Sequence, residues 1–279
     1  WGGLDSIKRL KALDDSLADN TVLESLAAEL QAIHKKIVQS PCEYLLVGEE
    51  ERLSDYTNNL LDKVSDGHNI QQPAYLDSKL FSYHSEQRKT AEFWKTSTQV
   101  NFCAKAYPTV SNAHPDAAAL TVLGGFLRNG HLHSAIREQG GAYGGGASQD
   151  SHNGVFRFYS YRDPRIAGTL KDFDASLDWL QNASHEWNHV EEAILGVVSS
   201  IDKPASPAGE AKQTFHAELY GNTRQIREQF RKQVLEVKLD DLRRVAATYL
   251  TEENANTAVI ANAEKVDEIA VLGLETKSL

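Results

Sequence analysis

The chain has 279 residues, 41% of them apolar, and a formal net charge of −10. That length allows one large domain or one domain with part of another, and the apolar share allows a real core. The acidic balance argues against a nucleic-acid partner, which needs a basic stripe. No apolar run reaches the ~18 residues of a membrane-spanning helix, so no membrane partner is expected. Cys42 and Cys103 lie far apart with no C-x-x-C pattern, so neither a disulfide framework nor a cysteine zinc site is expected, and both thiols should be buried and reduced. No methionine occurs and the chain opens on Trp1, as expected of a fragment.

Leu4, Ile7, Leu10 and Leu13, then Leu23, Leu26, Leu30 and Ile33, recur at helical spacing over residues 4–40. Ser40-Pro41 stops that pattern, Glu43 to Val47 reads as a short buried strand, and Glu51 to Val64 is helical again. The stretch 65–95, with Asp66-Gly67 and Gln72-Pro73, reads as a partly extended linker. Val100, Phe102, Ala104 and Ala106 alternate with more polar residues and predict a strand. His114-Pro115-Asp116 opens a helix lined by Leu120, Leu123 and Leu127, with a break expected at Asn129-Gly130 and a short second helix after it. Ala142–Gln149 and Val155–Tyr161 form a predicted hairpin around the turn at 150–154.

A helix carrying Leu170, Phe173, Leu177 and Leu180 follows. Further helices are predicted over about 189–201, 209–220, 222–236 and 239–250, then a strand at Thr257–Ala261 and a helix at 265–272. The helix–strand–helix order at 23–64 echoes that at 239–272. A true repeat would make residues 1–66 the tail of one α+β domain, 67–95 a linker and 96–279 a complete second copy. The fold class expected is α+β.

The stretch Leu132 to Ala147 concentrates the chemistry. A helix carrying Arg137 runs into Gly140-Gly141, which permit a sharp turn, and Tyr143 follows on a strand. Guanidinium and phenol both donate hydrogen bonds, which suits a peptide carbonyl. Gly144, Gly145 and Gly146 remove side chains, so another backbone could lie against that strand. A helix-ending Arg beside an ordinary strand Tyr fits the same residues, and residue chemistry alone leaves both open. A phosphate loop fits worse, because no Lys-Ser/Thr follows the glycines and they lead into a strand.

His185-Glu-Trp-Asn-His189 is a literal H-E-x-x-H, the pattern that places two zinc ligands on one helical face. Asn188-x-x-Glu191 ahead of Ala193 and Ile194 reads as a capping box that starts a helix at His189. His185 then falls in the preceding loop, off the shared face, and no metal ligand is expected in this chain. His131 and His133 flank Leu132 close to Arg137, where a capped helix end or a satisfied imidazole explains them as well as a binding role.

Arg137-Glu-Gln-Gly-Gly-Ala-Tyr-Gly144, followed by Phe156-Arg-Phe-Tyr-Ser-Tyr-Arg-Asp-Pro164, resembles the C-terminal half of presequence-protease-like enzymes of the pitrilysin/insulinase (inverted-zincin) class. The likeness continues through His114–Leu120, Ile201–Pro204 and Arg243–Ala246, and is best from about 96 to 250. It implies a pitrilysin/insulinase-like domain with a mixed, mainly antiparallel sheet and helices packed on one face, plus the tail of a second copy. It also implies a zinc-dependent metalloendopeptidase that degrades peptides and whose two halves close around a chamber. In such enzymes the N-terminal half carries zinc on an H-x-x-E-H helix, and the C-terminal half supplies an Arg and a Tyr, six apart, that grip substrate near the scissile bond. Arg137 and Tyr143 match that pair, with Gly144 and Gly145 beside the bound backbone.

No H-x-x-E-H occurs in this chain, so zinc is expected on the N-terminal half alone and this piece is expected to cleave nothing by itself. The expected partners are unstructured peptides as substrate and that N-terminal half. The compartment implied is the cytoplasm of a bacterium or the matrix of a eukaryotic organelle. A non-catalytic scaffold or binding relative of the same fold is the alternative, and such a protein has no need of the Arg–Tyr pair.

Overall fold

A computed structural model describes residues 3–40, 42–64 and 89–278. They fall into two units, residues up to 64 with 204–221, and residues 89–203 with 222–278. Among the described residues no helix is long and apolar enough to cross a membrane.

The first unit holds α1 (Gly3–Ser16), α2 (Asn20–Gln39), α3 (Glu50–Val64) and the helix Pro207–Leu219, which is α7 in chain order. Asp19 accepts a bond from the Thr21 N–H at 2.8 Å and caps α2, satisfying one of the donors a helix start leaves free. The predicted apolar stripe of α1 and α2 is present but unburied: Leu10, Leu30, Ile33 and Ile37 are each more than half exposed. The buried strand expected at Glu43–Val47 does not form. Residues 42–49 have no ladder partner and Tyr44 to Val47 are exposed, because a strand needs a sheet edge and this unit has none among its described residues. The expected equivalence with Thr257–Ala261 therefore does not appear. Cys42 is exposed, against expectation.

In the second unit β1 (Ala91–Thr96), β2 (Asn101–Pro108), β3 (Gly144–Asp150), β4 (Val155–Asp163), β5 (Asn256–Asn262) and β6 (Glu275–Ser278) form one sheet in the order β3-β4-β2-β5-β1-β6. The pairs β3–β4, β4–β2 and β2–β5 are antiparallel, and β1 runs parallel to both β5 and β6. This is the mixed, mainly antiparallel sheet of an α+β fold. β1 lies inside the stretch expected to be linker; Phe93 and Trp94 are buried there, pairing with Val259 and Ile260. The rest of the expected linker, 65–88, lies outside the described residues.

Alternation along β2 and β4 puts Cys103, Tyr107, Phe156 and Phe158 on one buried face. α4 (Ala117–Leu127) and α5 (Ala167–Asn182) pack against the sheet. Phe158 stacks on Phe173 of α5 at 5.4 Å between centroids and meets Tyr107 edge-on at 6.0 Å. Each such fully buried side chain contributes about 1.5–3 kcal/mol relative to exposure. Burial, with Asp163 adding, pushes the Cys103 thiol up to about 12, so it is an inert core residue.

The break expected at Asn129-Gly130 is absent. α4 runs directly into a π-helix, Arg128–Gln139. Gly130 serves packing instead: a Cβ there would stand 2.4 Å from the Trp179 ring. α6 (Trp187–Ile201), α8 (Arg224–Glu236), α9 (Leu239–Tyr249) and the short α10 (Val266–Ala270) complete the unit.

Asp116, just before α4, accepts from Arg244 Nη2 at 2.7 Å and from the Tyr249 hydroxyl at 2.8 Å, tying α9 to the start of α4. The Arg244 hydrogen bond, the largest influence, holds the Asp116 carboxyl below its ordinary value. A depressed carboxyl stabilises the fold fully above the unfolded aspartate pKa of about 3.9, and that contribution is lost as pH falls through the folded value. Arg244→Gln is expected to cost about 1 kcal/mol at neutral pH. In urea melts the gap from the parent should close as pH falls through and below ~3.9; a gap independent of pH would contradict the assignment.

Candidate functional site

The π-helix ends in a tight reversal. The N–H groups of Gly140 and Gly141 donate to the Arg137 carbonyl, and Ala142 N–H reaches back to the Ile136 carbonyl at 3.1 Å. Gly141 sits at φ +78°, where only glycine is unstrained. Gly140 has ordinary φ but no room: a Cβ would lie 1.9 Å from Arg165 Nη2. That nitrogen donates to the Ala135 carbonyl at 3.1 Å and to Asp172 of α5 at 2.8 Å. The backbone of Arg165 is fixed in turn by fully buried Asp163, which accepts from the Arg165 N–H at 2.8 Å and from Thr169 Oγ1 at 2.7 Å.

Tyr143 leaves this turn with its N–H bonded to the Arg162 carbonyl at 3.3 Å. β4 carries a bulge there: Tyr161 and Arg162 together oppose Phe102, between the pairs Asn101–Asp163 and Cys103–Ser160. Arg162 takes φ +49°, a left-handed conformation that costs a non-glycine residue about 1–2 kcal/mol. Both bulged residues flank Tyr143. The Tyr161 ring lies 5.7 Å from the Tyr143 ring, and the Arg162 guanidinium carbon 5.4 Å from its centroid. Tyr143 is nevertheless 64% exposed, its ring covered in part by Arg162 and otherwise open to solvent.

Arg137 is exposed on the last turn of the π-helix. Its Nη1 lies 3.5 Å from His133 Nε2, while His133 Nδ1 lies 3.5 Å from Glu138. One neutral tautomer, with the proton on Nδ1, accommodates both contacts. Arg137 and Tyr143 thus stand on opposite sides of one rigid turn, each steadied by its own neighbours, and no hydrogen bond joins them.

The expected place for a second backbone is differently built. A Cβ on Gly144 would stand 2.5 Å from the Tyr161 ring, and one on Gly145 would stand 2.8 Å from the Tyr159 carbonyl oxygen and 3.0 Å from Ile136. The chain's own groups fill that space, and what stays open on β3 is its outer edge, since β3 pairs only with β4. Tyr161, Arg162, Asp163 and Arg165 received no role from the sequence. Their signal was the Tyr-Arg-Asp-Pro run that ends the hairpin.

The H-E-x-x-H residues are not brought together as ligands. α6 starts at Trp187, earlier than the expected His189, with Glu186 as its cap residue and no side-chain cap. His185 lies outside it, with Nε2 3.1 Å from the carbonyls of both Trp179 and Leu180. Two acceptors require a proton on Nε2, so that nitrogen has no lone pair for a metal. His189 is exposed. Among the described residues no group of three His, Cys, Asp or Glu could hold a metal ion.

Comparison with known proteins gives the geometry a context. Residues 91–265, well over half the chain, match the family model described as the PreP C-terminal domain. The mitochondrial presequence protease of Kluyveromyces lactis is 38% identical over 66% of this chain and 19% of its own length. That of Eremothecium gossypii is 32% identical over 90% of this chain and 25% of its own. The chain thus spans a quarter or less of these relatives. A protease from Helicobacter pylori superposes with a TM-score of 0.60 at 18% identity, over 76% of this chain and 52% of that one, a likeness of fold.

Two outcomes follow from the site geometry. Gly140→Ala should cost about 1–3 kcal/mol by overpacking against Arg165 and the Ile136 carbonyl, 2.4 Å from such a Cβ, read as a lowered Tm; an unchanged Tm would mean that neither group is held there. Zinc remaining after dialysis should stay far below one equivalent per chain. A full equivalent that disappears in His189→Ala would place a metal at the H-E-x-x-H.

Proposed function

The chain belongs to the PreP C-terminal domain family, and on that premise we propose that it is the substrate-holding C-terminal part of a zinc-dependent, peptide-degrading metalloendopeptidase. Its zinc is held by the N-terminal half of the same enzyme, and its substrates are unstructured peptides. The observation that carries this reading is the mount of Arg137 and Tyr143 on either side of the Gly140-Gly141 turn, with Tyr143 fixed by Tyr161 and Arg162 yet open to solvent. Arg137 bonds substrate backbone carbonyls. Tyr143 donates to the scissile carbonyl oxygen as it gains charge, a role that rewards a donor already in place. Zinc, when bound in the intact enzyme, supplies the polarisation that the described residues have no ligands to provide.

Residues 1–66 are, on the same proposal, the end of a preceding α+β domain, and the complete second domain is the unit built on the six-stranded sheet. Supporting this are the unburied apolar stripe of α1 and α2 and the exposed, apolar Tyr44–Val47, which lack a core of their own. The mitochondrial relatives favour an organelle matrix if the source is eukaryotic; a bacterial protein would work in the cytoplasm.

In the intact enzyme Tyr143→Phe should lower kcat by about a hundred- to a thousandfold with KM nearly unchanged. Arg137→Ala should do more damage, and Arg137→Lys should rescue only part, because an ammonium lacks the planar fork. Tm and zinc content should stay at the parent values. Near-parental kcat/KM on a long peptide in both Tyr143→Phe and Arg137→Ala would favour a non-catalytic binding or scaffold protein instead.

A further inference from the structure

The two free edges of the sheet are built differently. β6 is four residues long, and its Lys277 is ion-paired with Glu92 of β1; a short, charged edge of this kind resists pairing with other chains. β3 is seven residues long, Gly-Gly-Gly-Ala-Ser-Gln-Asp, with no proline, no lysine and no bulge in its register to β4. One row of its backbone donors and acceptors faces β4, and the opposite row pairs with no strand among the described residues. Beside Ala147–Gln149 run two adjoining hollows of about 290 and 320 Å³, which share Thr121, Ser148, Gln149, Val197 and Ser200. Together they make one trough, with β3 and α4 on one side and α6 on the other.

The α6 wall carries a gap where it borders the trough. Gly196 stands in mid-helix, where glycine weakens a helix relative to alanine. The fold does not require it, since a Cβ there would meet no atom within 4 Å. Its absent side chain keeps the trough open. Of the other α6 residues that line the hollows, Ala193 and Ser200 are small as well, while Glu192, Val197 and Ile201 carry larger side chains.

We infer that this trough takes an extended segment of the peptide substrate, which adds as a strand to the outer edge of β3. Main-chain pairing of this kind holds a peptide with little regard to its side chains. The inference rests on the proposed function, because β3 begins at the residue after Tyr143 and a peptide gripped at Tyr143 can continue along it. At about 3.4 Å per residue the strand offers roughly 24 Å of edge, so only long peptides reach the trough.

The test uses the intact enzyme with two substrates, one of about 20 residues and one of about five, the latter too short to run along the seven-residue edge. Gly196→Phe and Ser200→Trp, each placing a ring in the trough, should lower the ratio of long-peptide to short-peptide kcat/KM about tenfold through lost main-chain hydrogen bonds. Gly196→Phe should melt no lower than the parent, since it replaces a mid-helix glycine. A ratio equal to the parent's in both variants overturns the inference, as does a changed sedimentation coefficient with no change in ratio, which would make β3 a contact between copies. Tyr143→Phe separates the two claims: if it is harmless while the ratio still falls, the trough stands and the role of Tyr143 does not.

Discussion

The site depends on one guanidinium. Arg165 occupies the volume that any side chain at position 140 would need, and from there it ties the π-helix carbonyl of Ala135 to Asp172 on α5. Its own backbone is held by Asp163, fully buried and bonded also to Thr169. The Arg165–Asp172 pair is itself partly exposed, so its charge attraction contributes only about 1 kcal/mol, but its loss would also free the helix end. Gly140 is therefore a packing requirement and Gly141 a conformational one, and the two adjacent glycines do different work.

That anchoring makes the turn a fixed joint between the two side chains proposed to hold substrate. On one side, the π-helix ends with Arg137 exposed. On the other, the β4 bulge spends the left-handed strain of Arg162 to bring two residues alongside Tyr143. A donor that must meet developing charge gains from being fixed before substrate arrives. Tyr143 is fixed in this way, by its N–H, a neighbouring ring and a cation over its ring, while most of the side chain stays exposed. The same strand then continues as an open edge, so the proposed grip and the proposed strand addition would belong to one continuous piece of chain.

Much of this was legible in the sequence, for physical reasons. Period-2 alternation marked β2, an aromatic run after a turn marked β4, helical spacing marked α5 and α9, and the Arg-to-Tyr motif pointed to the turn. What escaped depended on partners distant in sequence. β1 was hidden because Ala-Glu-Phe-Trp-Lys-Thr alternates over too few residues and acquires its burial only beside β5. Gly130 read as a helix break, whereas it makes room for Trp179. The bulge at Tyr161-Arg162 is a two-against-one mismatch across strands, which no single strand's pattern encodes. The error at Glu43–Val47 ran the other way: an apolar run is a strand only where a sheet receives it.

The central claim is that Arg137 and Tyr143 hold the substrate backbone. Its most direct test is a structure of the intact enzyme, blocked in cleavage, with a long peptide bound. The account requires peptide carbonyl oxygens within about 2.7–3.2 Å of the Arg137 guanidinium and the Tyr143 hydroxyl. A fully ordered peptide in the chamber that contacts neither side chain would contradict it.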